Sequence, residues 1–181
     1  GDYAVFSLMP VVGELKLHED QRASKFSHAN EVGKPHYYKV TFDNQITTEI
    51  SPTERGAHLR FSFPKGESSY LVLDGYNGLS SVTIDPDNNR ITGTVSNGRL
   101  VGKLINYFIV EFDQPFKAYG TWENRKGKQG PGETFAEGRG VGAYIEFSSG
   151  QQVQARTASS YVSPQQAKLT LEQELGQHAT L

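Results

Sequence analysis

The chain has 181 residues with 18 Lys+Arg against 20 Asp+Glu, a net charge of −2, which gives no general pull toward nucleic acid or anionic lipid. It holds no cysteine, so disulfide scaffolds, thiolate metal sites and cysteine nucleophiles are excluded, and no apolar run approaches the roughly 18 residues of a membrane-spanning helix. A hydrophobic share of 36%, with 19 Gly, 8 Pro, 10 Phe and 9 Tyr, describes short strands joined by many turns.

The opening Gly1-Asp2-Tyr3-Ala4-Val5-Phe6-Ser7-Leu8-Met9-Pro10 reads as a strand already under way, without the basic start and cleavage site of a secretory signal. Residues 11–17 read as a strand with Val11, Gly13, Leu15 and Leu17 on one face. A polar stretch, 18–34, interrupts the pattern. Residues 37–42 lead through Asp43-Asn44 into 46–50, a hairpin. His58-Leu59-Arg60-Phe61-Ser62-Phe63 alternates strictly, which places Leu59, Phe61 and Phe63 inward and His58 outward, and Pro64 closes the strand. Residues 70–73 follow. Strands at 82–84 and 90–95 flank Asp85-Pro86-Asp87-Asn88-Asn89 as a second hairpin.

Residues 100–112 form the longest apolar stretch, and 116–122 resume after Gln114-Pro115. A second polar stretch, 123–138, is glycine-rich. Strands at 141–147 and 152–157, joined by Ser148-Ser149-Gly150, read as a third hairpin. The sum is an all-β fold, an antiparallel β-sandwich of about ten to twelve strands. One short C-terminal helix is expected over 164–175. Ser163 is its N-cap, Pro164 its first residue, Gln166 the capping-box partner, and Ala167, Leu171 and Leu175 share one face before Gly176 ends it. Both ends read as cut, so one β domain over residues 1–181 is expected to be a piece of a longer chain.

Few motifs carry chemistry. Asp85-Pro86-Asp87-Asn88-Asn89 lacks the Gly and Glu of a calcium loop at the required positions and reads as a turn. The glycines at 138, 140 and 142 precede no helix that would hold a phosphate; Gly140 and Gly142 are expected to let aromatic neighbours pack across the sheet. The histidines, His18, His28, His36, His58 and His178, show no metal-ligand spacing, and there is no Gly-x-Ser-x-Gly elbow. Acidic pairs meet only in the fold, and the acids here read as a solvated face. Two places stand out. Phe26-Ser27-His28-Ala29-Asn30-Glu31 sets an imidazole, an amide and a carboxylate close together on a loop between strands, the chemistry of a sugar-binding surface or of an ordinary loop. Trp122, the single tryptophan, is either a platform for a sugar ring or a core or subunit-contact residue.

These segments together resemble a known family. Phe26-Ser27-His28 with Glu31, Pro35-His36-Tyr37-Tyr38-Lys39-Val40, Ile46-Thr47-Thr48-Glu49-Ile50, Thr53-Glu54-Arg55-Gly56, His58-Leu59-Arg60-Phe61-Ser62-Phe63-Pro64, Tyr107-Phe108-Ile109-Val110-Glu111-Phe112-Asp113-Gln114-Pro115-Phe116, Tyr119-Gly120-Thr121-Trp122 and Ser159-Ser160-Tyr161-Val162-Ser163, with Ala167, are similar in content and order to the N-terminal β-sandwich domain of the family 92 glycoside hydrolases, bacterial exo-acting α-mannosidases. His36 departs from the family's Pro-Gly-Tyr-Tyr block.

The resemblance implies a two-part enzyme, in which the sandwich packs against a C-terminal (α/α)6 catalytic domain and partly walls a calcium-dependent cleft. The reaction implied is inverting hydrolysis of terminal α-mannosides of glycans, α-1,2-linked ones foremost. A Glu acid and an Asp base would stand roughly 6.5–9.5 Å apart to admit water. Those acids and the calcium ligands belong to the helical domain, so no catalytic residue and no metal ligand is assigned to this chain. His28, Asn30, Glu31 and Trp122 are the candidate ligand-binding or interdomain residues. The partners implied are that helical domain and α-mannoside glycans, with no nucleic acid and no membrane insertion, in the periplasm, secreted or at the cell surface. A free-standing carbohydrate-binding module, with Trp122 and tyrosines on an open face, and a structural β-sandwich without a small ligand remain the rival readings.

Overall fold

The computed structural model describes residues 6–76, 78–96, 104–123 and 128–176. The expectations for the first five residues, for 97–103 and for the tail with His178 lie outside these. In chain order the elements are β1 (Ser7–Val12), α1 (Glu19–Arg22), β2 (Phe26–Lys34), β3 (Tyr37–Phe42), β4 (Thr47–Pro52), β5 (Gly56–Ser62), β6 (Ser69–Asp74), β7 (Leu79–Asp85), β8 (Arg90–Ser96), β9 (Ile105–Phe112), β10 (Ala118–Glu123), β11 (Lys128–Pro131), β12 (Phe135–Arg139), β13 (Val141–Phe147), β14 (Gln152–Ser160) and α2 (Pro164–Leu175). They build two antiparallel sheets, one ordered β1-β6-β13-β10-β11 and the other β12-β7-β8-β9-β14-β5-β4-β3-β2. The all-β sandwich with one C-terminal helix is therefore what the sequence describes, with more strands than the apolar pattern reveals.

The interior follows from alternation. Leu59 and Phe61 of β5 stand opposite Ala155 and Val153 of β14, and these meet Leu71, Leu73, Ala143, Ile145 and Phe147 of the smaller sheet in one buried cluster. A second apolar layer lies on the outer face of the smaller sheet, where Leu17 covers Val11, Val72, Trp122 and Tyr144. A third forms where Ala167, Leu171 and Leu175 of α2 pack on Ile109 and Ala158. The helix begins as expected, with Ser163 Oγ accepting from Gln166 N at 3.0 Å, while the Gln166 side chain reaches Thr170.

The first two hairpins form as expected; Asp85 accepts from Asn88 N, and Asn89 takes the left-handed conformation that turns the second. The third does not. β13 pairs with β10 and β6 in the smaller sheet, whereas β14 pairs with β5 and β9 in the larger. The intervening turn thus crosses between layers, because both strands bury the same kind of face against one core. The strand placed over 11–17 stops at Val12: Gly13 turns at φ +81°, and residues 13–25 become a strap over the smaller sheet carrying α1. Both polar stretches contain strands. β2 supplies the edge of the larger sheet with nearly every residue exposed, and an edge bathed on both faces has no reason to alternate. The second stretch holds β11 and β12. His58 is buried rather than outward, since the outer face of β5 lies between Ser51 and Arg156 on the neighbouring strands and beneath the end of α2.

Candidate functional site

Strand β2 leaves its ladder with β3 between Phe26 and Glu31, and the candidate polar residues sit on this bulge rather than on a free loop. Glu31 accepts from Tyr38 OH at 2.7 Å and holds His28 Nδ1 at 2.7 Å on its other oxygen. The Tyr38 hydrogen bond, followed by that of His28, pulls the Glu31 carboxyl below its usual range, and the carboxylate raises the Tyr38 phenol in turn. The His28 side chain is 92% exposed, so a fixed carboxylate orients an imidazole whose other nitrogen faces solvent. Phe26 meets that ring edge-on at 5.8 Å. Asn30 is exposed beside it.

Trp122 lies far from this group. It is 2% exposed, beneath the strap, with Nε1 donating to Leu73 O at 3.1 Å and the Arg22 guanidinium 5.9 Å from the ring centre. The core alternative holds for Trp122, and the sugar platform fails because Leu17 and Arg22 occupy its face. That also removes the aromatic on which the free-standing binding module leaned.

A polar cluster not singled out as a site lies on the outer face of the larger sheet. Arg60 Nε and Nη2 donate to the two oxygens of Glu49, each at 2.7 Å, and Tyr37 OH donates to Glu49 Oε1 at 2.5 Å. The Arg60 fork and Tyr37 pull the buried Glu49 carboxyl from 4.5 to about 2. The register opposing Glu49 to Arg60 follows from the 53–55 turn, and that turn was the available signal. His58 nearby is pushed below 6.5 by burial and by Arg156 and Arg60.

Acid should therefore weaken the fold, with His58 and Glu49 acting over different pH ranges. His58 is neutral in the fold and takes up a proton more readily when unfolded, so stability declines as pH drops below 6.5. Glu49 contributes stability above 4.5 that is lost toward its folded value of about 2, roughly 2 kcal/mol of it by pH 3. Glu49→Gln should cut the slope of urea-derived stability between pH 5 and pH 3; an unchanged slope refutes the assignment.

A cleft of about 800 Å³ opens at one end of the sandwich, lined by Phe6, Arg55, Gly56, Ser159, Tyr161 and Val162. Ser159 N donates to Arg55 O at 3.1 Å, and Glu174 of α2 accepts from Thr53 Oγ1 at 2.6 Å and from Arg55 N at 3.1 Å.

Among the described residues each carboxyl with a resolved shift, Glu31, Glu49, Asp85 and Glu174, moves downward through hydrogen bonds to its ionised form. A general acid at neutral pH needs the opposite. Among the described residues no three His, Asp or Glu side chains group to hold a metal ion, and calcium asks for six to eight oxygens; the donor set does not fit it.

Residues 1–160 match the Glycosyl hydrolase family 92 N-terminal domain. The chain is similar to part of the family GH92 inverting mannosidase BT2199 from Bacteroides thetaiotaomicron VPI-5482, with a TM-score of 0.90 at 38% identity over 97% of this chain and 24% of that one. The family GH92 α-mannosidase BT3965 from Bacteroides thetaiotaomicron gives 0.81 at 23% identity over 93% and 25%. The gh92 family glycosyl hydrolase ccman5 gives 0.82 at 21% over 95% and 25%. These two speak for the fold alone. The chain spans about a quarter of the length of each of these structures. No curated protein matches it.

Proposed function

The chain belongs to the family of glycosyl hydrolase family 92 N-terminal domains, and from that premise we propose that it is the non-catalytic sandwich of an α-mannosidase, packed against a helical catalytic domain and walling part of its cleft. The observation that carries this is the 38% identity and TM-score of 0.90 to an inverting mannosidase of which it spans 24%. The substrates are terminal α-mannosides of glycans, α-1,2-linked ones foremost, met in the periplasm, outside the cell or at its surface. The acid and base of the inverting step come from the helical domain, which is consistent with carboxyls here that are held ionised. Calcium is assigned to that domain as well, as the family resemblance implies.

What this chain supplies is shape and fixed polar groups. Glu31, ionised and held by Tyr38, keeps the His28 imidazole in one orientation at the edge strand. With Asn30, these are the residues we assign to the domain boundary or the cleft side. The isolated chain should hydrolyse no aryl α-mannoside with or without calcium, whereas the parent polypeptide carrying the helical domain should release mannose first as the β-anomer, as read by proton NMR. Turnover by the rigorously purified isolated chain, or a parent inert on α-mannosides, sinks the reading.

A further inference from the structure

The outer face of the larger sheet is only partly covered. Helix α2 lies over β14, β9 and β5, and the sheet continues past it through β8 and β7 to the edge strand β12. Between the helix and those strands runs a trough of about 440 Å³, toward the opposite edge of the sheet from the His28 bulge on β2. Residues opposed across a strand pair share a face, so the register lays the floor out in rows. Asp85, Arg90 and Glu111 form the first row. Phe135, Thr83 and Thr92 form the second, and Glu137, Ser81 and Thr94 the third.

The rows differ in what they leave free. In the first, Arg90 donates to Asp85 at 2.7 Å and stands 3.8 Å from Glu111, so its charge is answered within the sheet. In the second, Thr83 and Thr92 oppose each other with hydroxyls bonded to no described residue. Phe135, at the open end of that row, is 56% exposed, more than any other phenylalanine of the chain. In the third, Ser81 and Thr94 share one hydrogen bond of 2.7 Å, which leaves a hydroxyl hydrogen and several lone pairs over. The helix supplies the wall: Pro164 and Gln165 of its first turn line the trough, with Lys168 one turn on, and the Ser163 cap fixes that turn.

This set of groups selects a ligand class. A protein partner needs a desolvated apolar centre, and the centre here is four hydroxyls. A polyanion needs cations in excess. Here Arg90 is matched by two carboxylates, Lys168 stands 3.9 Å from Glu172, and Glu137 and Arg139 offset each other on β12. What fits is a neutral ligand that donates and accepts at many points and has an apolar face for one exposed ring. A saccharide has those properties, with hydroxyls around the rim of each pyranose and C–H groups on its face. β12 and β8 are two strand spacings apart, roughly 10 Å, so the ligand spans more than one ring. We propose that the trough is an oligosaccharide-binding surface. One sugar ring stacks on Phe135, the next is held by Thr83, Thr92 and the Ser81–Thr94 pair, and Gln165 closes the side. The site goes beyond the mannosidase reading and does not rest on it.

Titration of this chain's amide resonances with linear α-mannotriose and with cellotriose tests the proposal. At least one of the two should move the amides of Ser81, Thr83, Thr92, Thr94 and Phe135 together, with a single dissociation constant of about 1–10 mM. Phe135→Ala should weaken that binding about 3–10-fold, the scale of one lost stacking contact. Thr83→Val and Thr92→Val keep the side-chain shape and remove the hydroxyl, and each should weaken it about 3–10-fold. All three variants should melt close to the unchanged chain, so that the loss is one of binding and not of folding. The affinity should hold from low to high salt, as for a neutral ligand. The proposal fails if neither sugar shifts these amides at about 10 mM, or if the shifts fall on residues 26–31 instead. Displacement by inorganic phosphate, which would make the trough an anion site, overturns it too, as does binding that Phe135→Ala leaves intact.

Discussion

Asp74→Ala is expected to remove about 3–5 kcal/mol of folding stability, because it strands a buried charge. Asp74 is 1% exposed and Arg22 6%; their ion pair closes at 2.5 Å, and the second carboxylate oxygen accepts from Tyr76 N at 2.7 Å. Arg22 spends its other nitrogen on Leu17 O and lays its guanidinium toward Trp122. It is carried by α1, four residues long, far too short to stand as a helix without tertiary support. Without Asp74 the guanidinium must leave, and the strap that roofs the smaller sheet leaves with it. Since domains of this kind are stable by only about 5–15 kcal/mol, the loss is a large share. Urea denaturation gives the magnitude, and the native emission of Trp122, the single tryptophan, should shift to the red as its cover opens. A loss below about 1 kcal/mol would mean that the pair is solvated. Arg22→Met with Asp74→Leu should recover most of the stability, since an apolar pair carries no desolvation penalty.

What the sequence disclosed and what it withheld divide along physical lines. Helix α2 was legible to its cap, because Ser163, Pro164 and the spacing of Ala167, Leu171 and Leu175 are local signals. Leu59 and Phe61 were legible because a half-buried strand alternates. The resemblance drawn from the ordered blocks led to the family. β2 was not legible, since an exposed edge strand has neither period nor apolar content. The partners of β13 and β14 were not legible either: alternation reports that a face is buried, not which sheet the strand joins. Of the candidate site, His28 and Glu31 do meet, but Tyr38 is brought to them by the β2–β3 register. The burial of Trp122 and the Glu49–Arg60 pair likewise depend on cross-strand geometry. The cleft joins residues 53–56 to 159–162, and only the closed fold sets those turns together.

Gly142→Ala is expected to cost about 3 kcal/mol, from overpacking together with a lost buried hydrogen bond. Gly142 of β13 stands directly between Trp122 of β10 and Asp74 of β6. The indole reaches across it to donate to Leu73 O, and that crossing requires a residue without a side chain. A Cβ there would lie 2.1 Å from Leu73 O and 2.4 Å from Trp122 Nε1. The backbone oxygen belongs to a central strand, so the indole has to yield, and it yields toward Arg22. Gly33→Ala, with nothing within 4 Å of the added carbon, is the control and should be near neutral. The indole N–H resonance and the Trp122 emission report whether the ring has moved. Because the displaced indole pushes on the same guanidinium that Asp74 holds, the two losses should not add. The double variant Gly142→Ala with Asp74→Ala is expected to fall short of the sum by about 1 kcal/mol or more. Strict additivity would show that the indole slot and the ion pair act as separate supports and that the strap is not one cooperative unit.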